Sequence, residues 1–514
     1  MRQIFNISCT SLVNRRDLPH LIDDGEVLSR ENFSVEGSGK EKRNRKVPGA
    51  NRFSDTDTGD YYISGIRYYF DPNNRKTYAF NNGRIYHVDD NGTELMVDLN
   101  FDVNAVPSWE IMRISGNNIL IFSEGINTGM YSYDGNLGNV FTKETSVTVN
   151  LIDMVSWLDR LWGFEENSES LLGSKNLSPF NFTDSTDSVE IVVGAKRGSK
   201  LMKLIVMHDT LYIFKQDSIW ALLGRSPSEF EVKEIVSHLG TASRRSVVKT
   251  GNGIIFLGSD FEFYFFGGTA DSLQLLSYKM AVAGDLTKNL IPIINRDKAS
   301  ESVACFHNNT YRCSIVENGK VTNNLEYCFS TINETDWLTR DFNISCYIPW
   351  DRTPDKQELL FGRRDIGLLM LANQGYNVDN GASSPTMPFK IQSKFVGTQE
   401  PRNIRFKRAW FNIGVLDTAR PLKGYYYLDT RTTRSDAGDD EWATRGEYKV
   451  GIGNTASQRA ISPRVNLDYG KSRGHSISFE IDDTVANVEF ELASIQVEAV
   501  VRPYSVKRSH AVNA

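Results

Sequence analysis

Two stretches near the middle of the chain carry the same pattern of apolar and polar positions. Residues 201–223 (LMKLIVMHDTLYIFKQDSIWALL) and 251–266 (GNGIIFLGSDFEFYFF) each set an apolar strand, a short polar turn and a second strand rich in aromatics. A strand-turn-strand unit that recurs along a chain specifies a β-propeller or a related repeat array. Residues 76–97 add two Asn-Gly turn signals, Asn82-Gly83 and Asn91-Gly92, on either side of an alternating strand, which predicts a small antiparallel sheet. Comparable units begin near Thr77, Asn118, Met154, Leu204, Gly253, Ser302 and Leu359, at intervals near the length of a four-stranded blade. They predict an irregular propeller of six or seven blades, without WD or kelch signatures. Helical periodicity is nearly absent, with room for short helices only in stretches such as 271–290.

Aromatics crowd the entry to the repeats (Tyr61, Tyr62, Tyr68, Tyr69, Phe70) and one blade (Phe261, Phe263, Tyr264, Phe265, Phe266). Alternation along a strand places Phe263 and Phe265 opposite Tyr264 and Phe266. Most such side chains are expected between blades. An apolar excess on both faces also suits a subunit packed in a ring.

The texture changes after a turn-rich linker at 377–388. Residues 389–502 form longer alternating strands, among them FKIQSKFVG, RFKRAWFNIGVL and VEFELASIQVEAVV, which suit a β-sandwich. The division predicted is an N-terminal arm at 1–60, a propeller at 61–380 and a C-terminal β-sandwich with its tail at 381–514. The arm lacks periodicity and ends in a basic run containing Lys40, Lys42, Arg43, Arg45 and Lys46. On an acidic protein such a run has an electrostatic partner in neighbouring acidic surface. These five cations are therefore the candidate interaction residues, at a contact with another subunit or protein.

A chain of 514 residues exceeds what one core organises, and 40% hydrophobic with 24% charged residues is a globular composition. No apolar run reaches the roughly 18 residues of a spanning helix, and the first residues do not read as a signal peptide, so a protein made without export and without stable membrane insertion is expected. The net charge of −6 argues against a surface that grips nucleic acid throughout. Five cysteines, Cys9, Cys305, Cys313, Cys328 and Cys346, form no CxxC pair and are expected to stay reduced.

Catalytic motifs are poor. HExxH does not occur. Gly37-Ser38-Gly39-Lys40 lacks the earlier glycine and the following Ser or Thr of a phosphate loop. Residues 55–60 (DTDTGD) alternate carboxylates as a calcium loop does, but glycine takes the third ligand position and no glutamate closes the loop. Asp439-Asp440-Glu441 reads as a loop tip. The histidines, including His208, His238, His307 and His475, show no metal-ligand spacing. No catalytic, cofactor or metal residue is nominated, and the chain is read as a non-enzyme that needs no cofactor.

The order of features resembles the β-propeller tail hub and nozzle proteins of short-tailed bacteriophages. The basic arm runs into Arg45-Lys46-Val47-Pro48-Gly49, and residues 65–70 with the hairpin 77–88 are similar to the family's first blade. Residues 157–163 (WLDRLWG) lead to Gly173-Ser174 and then Ser178-Pro179-Phe180-Asn181-Phe182. The most specific piece is 211–215 (LYIFK) with Ser218-Ile219-Trp220, followed by Gly240-Thr241-Ala242-Ser243-Arg244-Arg245-Ser246. Phe361-Gly362 through Asp379-Asn380-Gly381 resembles the strap that closes the propeller.

The resemblance implies a virion structural protein, assembled in the host cytoplasm. It implies a homo-oligomeric ring, commonly a hexamer, below portal-adaptor proteins, with an attachment surface for tail fibres or tailspikes and a channel for transient, non-specific passage of viral DNA during ejection. It brings no catalytic residues. The alternatives are a carbohydrate-binding or glycan-hydrolysing propeller acting on the host envelope, and a peripheral tail-borne adhesion protein. In a conduit, channel-facing loops are expected to be mixed or acidic, because each phosphate neutralised by Lys or Arg opposes sliding.

Overall fold

The computed structural model describes residues 2–11, 26–36, 42–47, 50–53, 62–71, 74–89, 92–98, 101–102, 105–125, 129–135, 141–194, 198–277, 294–340, 342–353, 356–365, 367–373, 387–397, 404–416, 422–428, 444–450, 458–461, 464–467, 473–474, 476–483 and 489–501. It is an all-β propeller of seven four-stranded blades fused to a β-sandwich. Blades 1 to 6 open with the inner strands Ile63–Asp71, Ser108–Ile114, Leu151–Trp157, Leu201–Met207, Val248–Lys249 and Val303–His307. Each then continues outward through three sequential antiparallel strands. Blade 7 comprises Ile344–Thr353, Lys356–Arg363 and Leu369–Ala372, and takes its outer strand, Ala50–Arg52, from the N-terminal region. Each of the seven units read from the sequence falls in its own blade, although Thr77, Asn118 and Leu359 lie in second strands rather than first ones.

Local chemistry explains the hairpins. Asn82 and Gly83 both adopt positive φ (49° and 71°), as a two-residue turn matched to strand twist requires. Ser115-Gly116, His208-Asp209 and Asn308-Asn309 repeat that conformation between the first two strands of blades 2, 4 and 6.

Apolar side chains then fill the wedge between each consecutive pair of blades. Ile63 and Ile66 of blade 1 pack with Ile348, Leu360 and Leu371 of blade 7, so the ring closes on itself. The aromatic strand Phe263–Phe266 shows the alternation read from its sequence. Phe263 stacks on Tyr327 of blade 6 at 4.0 Å between ring centroids, while Phe266 meets Tyr212 and Phe214 of blade 4. Both apolar faces are thus consumed inside the chain, and this strand needs no neighbouring subunit to cover it.

The N-terminal region is where the structure departs from the sequence division. Rather than a separate arm, its described segments are strands of both domains. Arg2–Ser8 pairs with Phe490–Val501, and Phe33–Glu36 with Arg43–Lys46 extends the same sandwich sheet. Val27–Glu31 lies between Thr335–Arg340 of blade 6, which it meets in parallel, and Phe389–Ser393 of the sandwich. Blade 6 therefore continues without interruption into the second sandwich sheet, through Ser476–Asp483, Leu422–Leu428 and Thr444–Val450. Phe33, Phe389 and Phe490 pack ring against ring and join N-terminal and C-terminal strands in one core. Each is almost fully buried, which contributes roughly 1.5–3 kcal/mol per side chain. The linker 377–388 falls outside the described residues apart from Met387 and Pro388. Of the stretch 271–290, the described part is a short 3-10 turn, Ala270–Ser272, and the strand Gln274–Leu275.

Candidate functional site

Inner strands of a propeller all begin at one end of the central axis, so residues just before them converge there whatever their separation in sequence. The segment 240–246 (GTASRRS) precedes blade 5 and occupies this position. Gly240 is needed for close approach, since a Cβ there would sit 2.1 Å from the Lys215 carbonyl oxygen. The Thr241 N–H donates to that same oxygen (3.0 Å), and the Ala242 N–H to Leu257 O (3.1 Å). Ser243 donates its hydroxyl to Ser302 O at 2.7 Å, and Tyr311 of blade 6 donates to Ser246 O at 2.8 Å. Arg244–Ser246 is then a single 3-10 turn, which sends two consecutive side chains in different directions.

The two arginines reach across the ring. Arg244 donates from Nη1 to Ile152 O of blade 3 (2.6 Å) and from Nη2 to Val106 O just before blade 2 (3.2 Å). Arg245 donates from Nη1 to Ser345 O of blade 7 (3.0 Å) and from Nη2 to Glu301 O before blade 6 (3.4 Å). One dipeptide thereby cross-braces four positions around the axis. Burial lowers the pKa of both guanidiniums, Arg245 to about 10, with Arg244 and Arg364 adding repulsion at Arg245.

Charged side chains from other inner strands converge deeper in. Lys203 of blade 4 pairs with Asp153 of blade 3 at 2.7 Å, and Asp153 also accepts the Leu204 N–H at 2.8 Å. Glu110 of blade 2 is raised above the usual carboxylate range by burial, against the pull of Arg67 and Lys203. Beside Arg245, Glu301 is held by Lys298 and Arg364, both at 2.8 Å, and Arg364 lies over the Tyr62 ring at 4.1 Å. A braced, largely charge-compensated network therefore lies at the inner strands.

Beside Arg244 is a cavity of about 320 Å³, lined by Val106, Ile152 and Met202, by the cations Lys200 and Arg244, and by the carboxylates Glu124 and Glu166. Its chemistry is that of binding, with charged groups of both signs set beside apolar side chains. Among the described residues no cluster of three or more His, Cys, Asp or Glu is placed to hold a metal, and no helix is long and apolar enough to cross a membrane.

The basic run lies elsewhere. Lys42 donates to Asn333 O (3.1 Å), Arg43 pairs with Glu491 (2.8 Å), and Arg45 pairs with Glu36 and Glu489 (3.0 and 3.1 Å). Lys46 is fully buried with its Nζ 4.8 Å from the Phe389 ring centre. Arg43 and Arg45 thus find acidic partners in their own chain, because strand pairing lays the run against Phe490–Val501. Lys40, Gly37-Ser38-Gly39, the loop 55–60, Asp439-Asp440-Glu441 and His475 lie outside the described residues. His208 and His238 sit in positive-φ backbone, and His307 is buried with Nε2 3.2 Å from Gln357 O. Sequence reasoning singled out 240–246 only through resemblance. The chemical signal available was an Arg-Arg pair set among small residues immediately before an apolar strand.

No protein-family profile and no curated protein matches the chain. Among solved structures it is similar to an extracellular domain from B. thetaiotaomicron at 11% identity and a TM-score of 0.42, covering 79% of this chain and 48% of that one, about half its length. It is also similar to YCF48 bound to D1 peptide, at 9% identity, TM-score 0.38, and 63% and 97% coverage. A third is the AfRom2 CNH domain, at 9% identity, TM-score 0.38, and 64% and 97% coverage. At these scores the likenesses carry no argument about function.

Proposed function

We propose that this chain is a structural subunit of a short-tailed bacteriophage tail, a hub or nozzle. It assembles as a ring beneath the portal and adaptor proteins, carries fibres or tailspikes, and surrounds the path of the ejected DNA. The observation that carries the reading concerns Gly240–Ser246, the most specific of the resembling motifs. With Ser243, Arg244 and Arg245 it ties the start of blade 5 to blades 2, 3, 6 and 7 at the axis. A propeller closed in this way is a rigid block, and a DNA path then runs between copies, at the centre of the ring. The strand link between blade 6 and the sandwich supports the same role, since it joins the two domains by backbone pairing.

Two-dimensional averages of the purified protein, with its mass from light scattering, test this. A closed ring around an open centre is expected. A monomer at every concentration would overturn the reading, and glycan turnover by that monomer would place the chain with envelope-acting propellers. In the ring, DNA binding at physiological salt is expected to be weak and without sequence preference.

A further inference from the structure

Arg244 and Arg245 are adjacent, enclosed cations whose hydrogen bonds go to neutral carbonyl oxygens. Among the described residues neither has a carboxylate within ion-pair distance. The nearby acids are engaged: Asp153 by Lys203 and the Leu204 N–H, Glu301 by Lys298 and Arg364, and Glu124 by the Asp102 N–H at 3.2 Å. Glu124 and Glu166 both line the cavity, Glu166 with an exposed side chain. Asp153 and Glu166 act on Arg244 only through space, and a guanidinium has five N–H donors, of which two are used at Arg244. The side chain opens on the axial cavity, where Lys200 supplies a second cation and Ser300 a hydroxyl.

We propose that this cavity binds a small organic oxyanion, a carboxylate or phosphate carried on a compact body. The oxyanion sits between Arg244 and Lys200, and the body rests on Val106, Ile152 and Met202. The volume, about 320 Å³, is at the small end of ligand pockets, so a metabolite-sized molecule fits and a polymer does not. Apolar side chains in the same cavity as the two cations favour an organic anion over a bare inorganic one. The site is independent of the ring assembly proposed above. It is filled from one end of a single propeller and needs no second copy.

Calorimetric titration of the intact protein at constant ionic strength, with glutarate, glycerol 3-phosphate and inorganic phosphate as probes, tests the proposal and separates the carboxylate from the phosphate source. Saturable binding of one organic probe per chain is expected, with inorganic phosphate weaker. Lys200→Met removes a donor without touching the brace and is expected to weaken binding about fivefold or more, as loss of a charge-assisted contact does. Glu166→Gln removes a competing carboxylate and is expected to tighten binding. Both variants should keep the wild-type circular dichroism and melting temperature without ligand. Absence of saturable heat with all three probes overturns the site. So does binding that neither variant changes, and phosphate binding as tight as the organic probes overturns the organic ligand.

Discussion

The Asn32 side chain accepts a hydrogen bond through Oδ1 from the Arg340 backbone N–H at 2.9 Å. Its Nδ2 donates to Pro388 O, its N–H donates to Leu338 O (2.8 Å), and its carbonyl accepts from Val47 N–H (2.8 Å). A single residue at φ 54°, 1% exposed, thus ties blade 6, the N-terminal strands and the start of the C-terminal domain together.

Asn32 therefore governs how the two domains melt. Asn32→Gly keeps the left-handed backbone but orphans Arg340 N–H and Pro388 O, at about 1–3 kcal/mol for each buried unsatisfied group. Asn32→Ala adds about 1 kcal/mol for the unfavourable φ. Urea unfolding is expected to rank stability as wild type, then Gly, then Ala. A wild-type midpoint for both variants would remove the joint role.

Lys46 gives a pH signature. Burial lowers its pKa from 10.5 to about 8, with Asp483 pulling the other way. The unfolded chain then binds more protons between pH 8 and 10.5, so this group's contribution to stability rises with pH across that window and is lost as pH falls through 8. The full difference is on the order of 3 kcal/mol. Lys46→Met is expected to be at least as stable as wild type at pH 7 and to show a flatter stability profile from pH 8 to 10. A parallel profile in the two proteins would contradict the buried ammonium.

Between blades 6 and 7, Arg312 lies 3.5 Å from Glu326, whose other oxygen accepts the Tyr347 hydroxyl at 2.6 Å. Burial disfavours the Arg312 cation, yet Glu326 together with Cys328, Cys305 and Tyr347 outweighs it and holds the pKa above its usual value. Arg312→Met leaves a carboxylate that is 2% exposed without its cation, an expected loss of about 3–5 kcal/mol. Adding Glu326→Gln should recover part of that loss in thermal or urea melts, because no buried charge then remains. A double variant no more stable than the single one would refute the pairing.

All five cysteines are buried, and burial pushes their thiols up, Cys9 and Cys313 to about 12 and Cys346 to about 11. Thiolate is the reactive species, so the native protein at pH 8 should resist a disulfide reagent for minutes and titrate five thiols once denatured. Fast native labelling of any one would show that its blade opens.

Features set by neighbours in the chain were legible in the sequence. Asn82-Gly83 forces a tight turn through its own backbone preferences, the period of two at Phe263–Phe266 assigns each ring to one of two neighbouring blades, and seven repeats make seven blades. Contacts between distant segments belong to the tertiary structure. Ala50–Arg52 is too short to show a period, and it becomes the last strand of blade 7 only because Leu369–Ala372 offers an open edge there. Val27–Glu31 meets blade 6 through one registered pair, Glu31 with Leu338. Arg244 and Arg245 bind backbone carbonyls, groups that every residue carries, so no side-chain pattern in the sequence marks their partners. The basic run reads as an interface because charge is visible in sequence. The pairing of Arg43 and Arg45 with Glu491 and Glu489 depends on strand pairing across more than four hundred residues, and only the folded chain decides it.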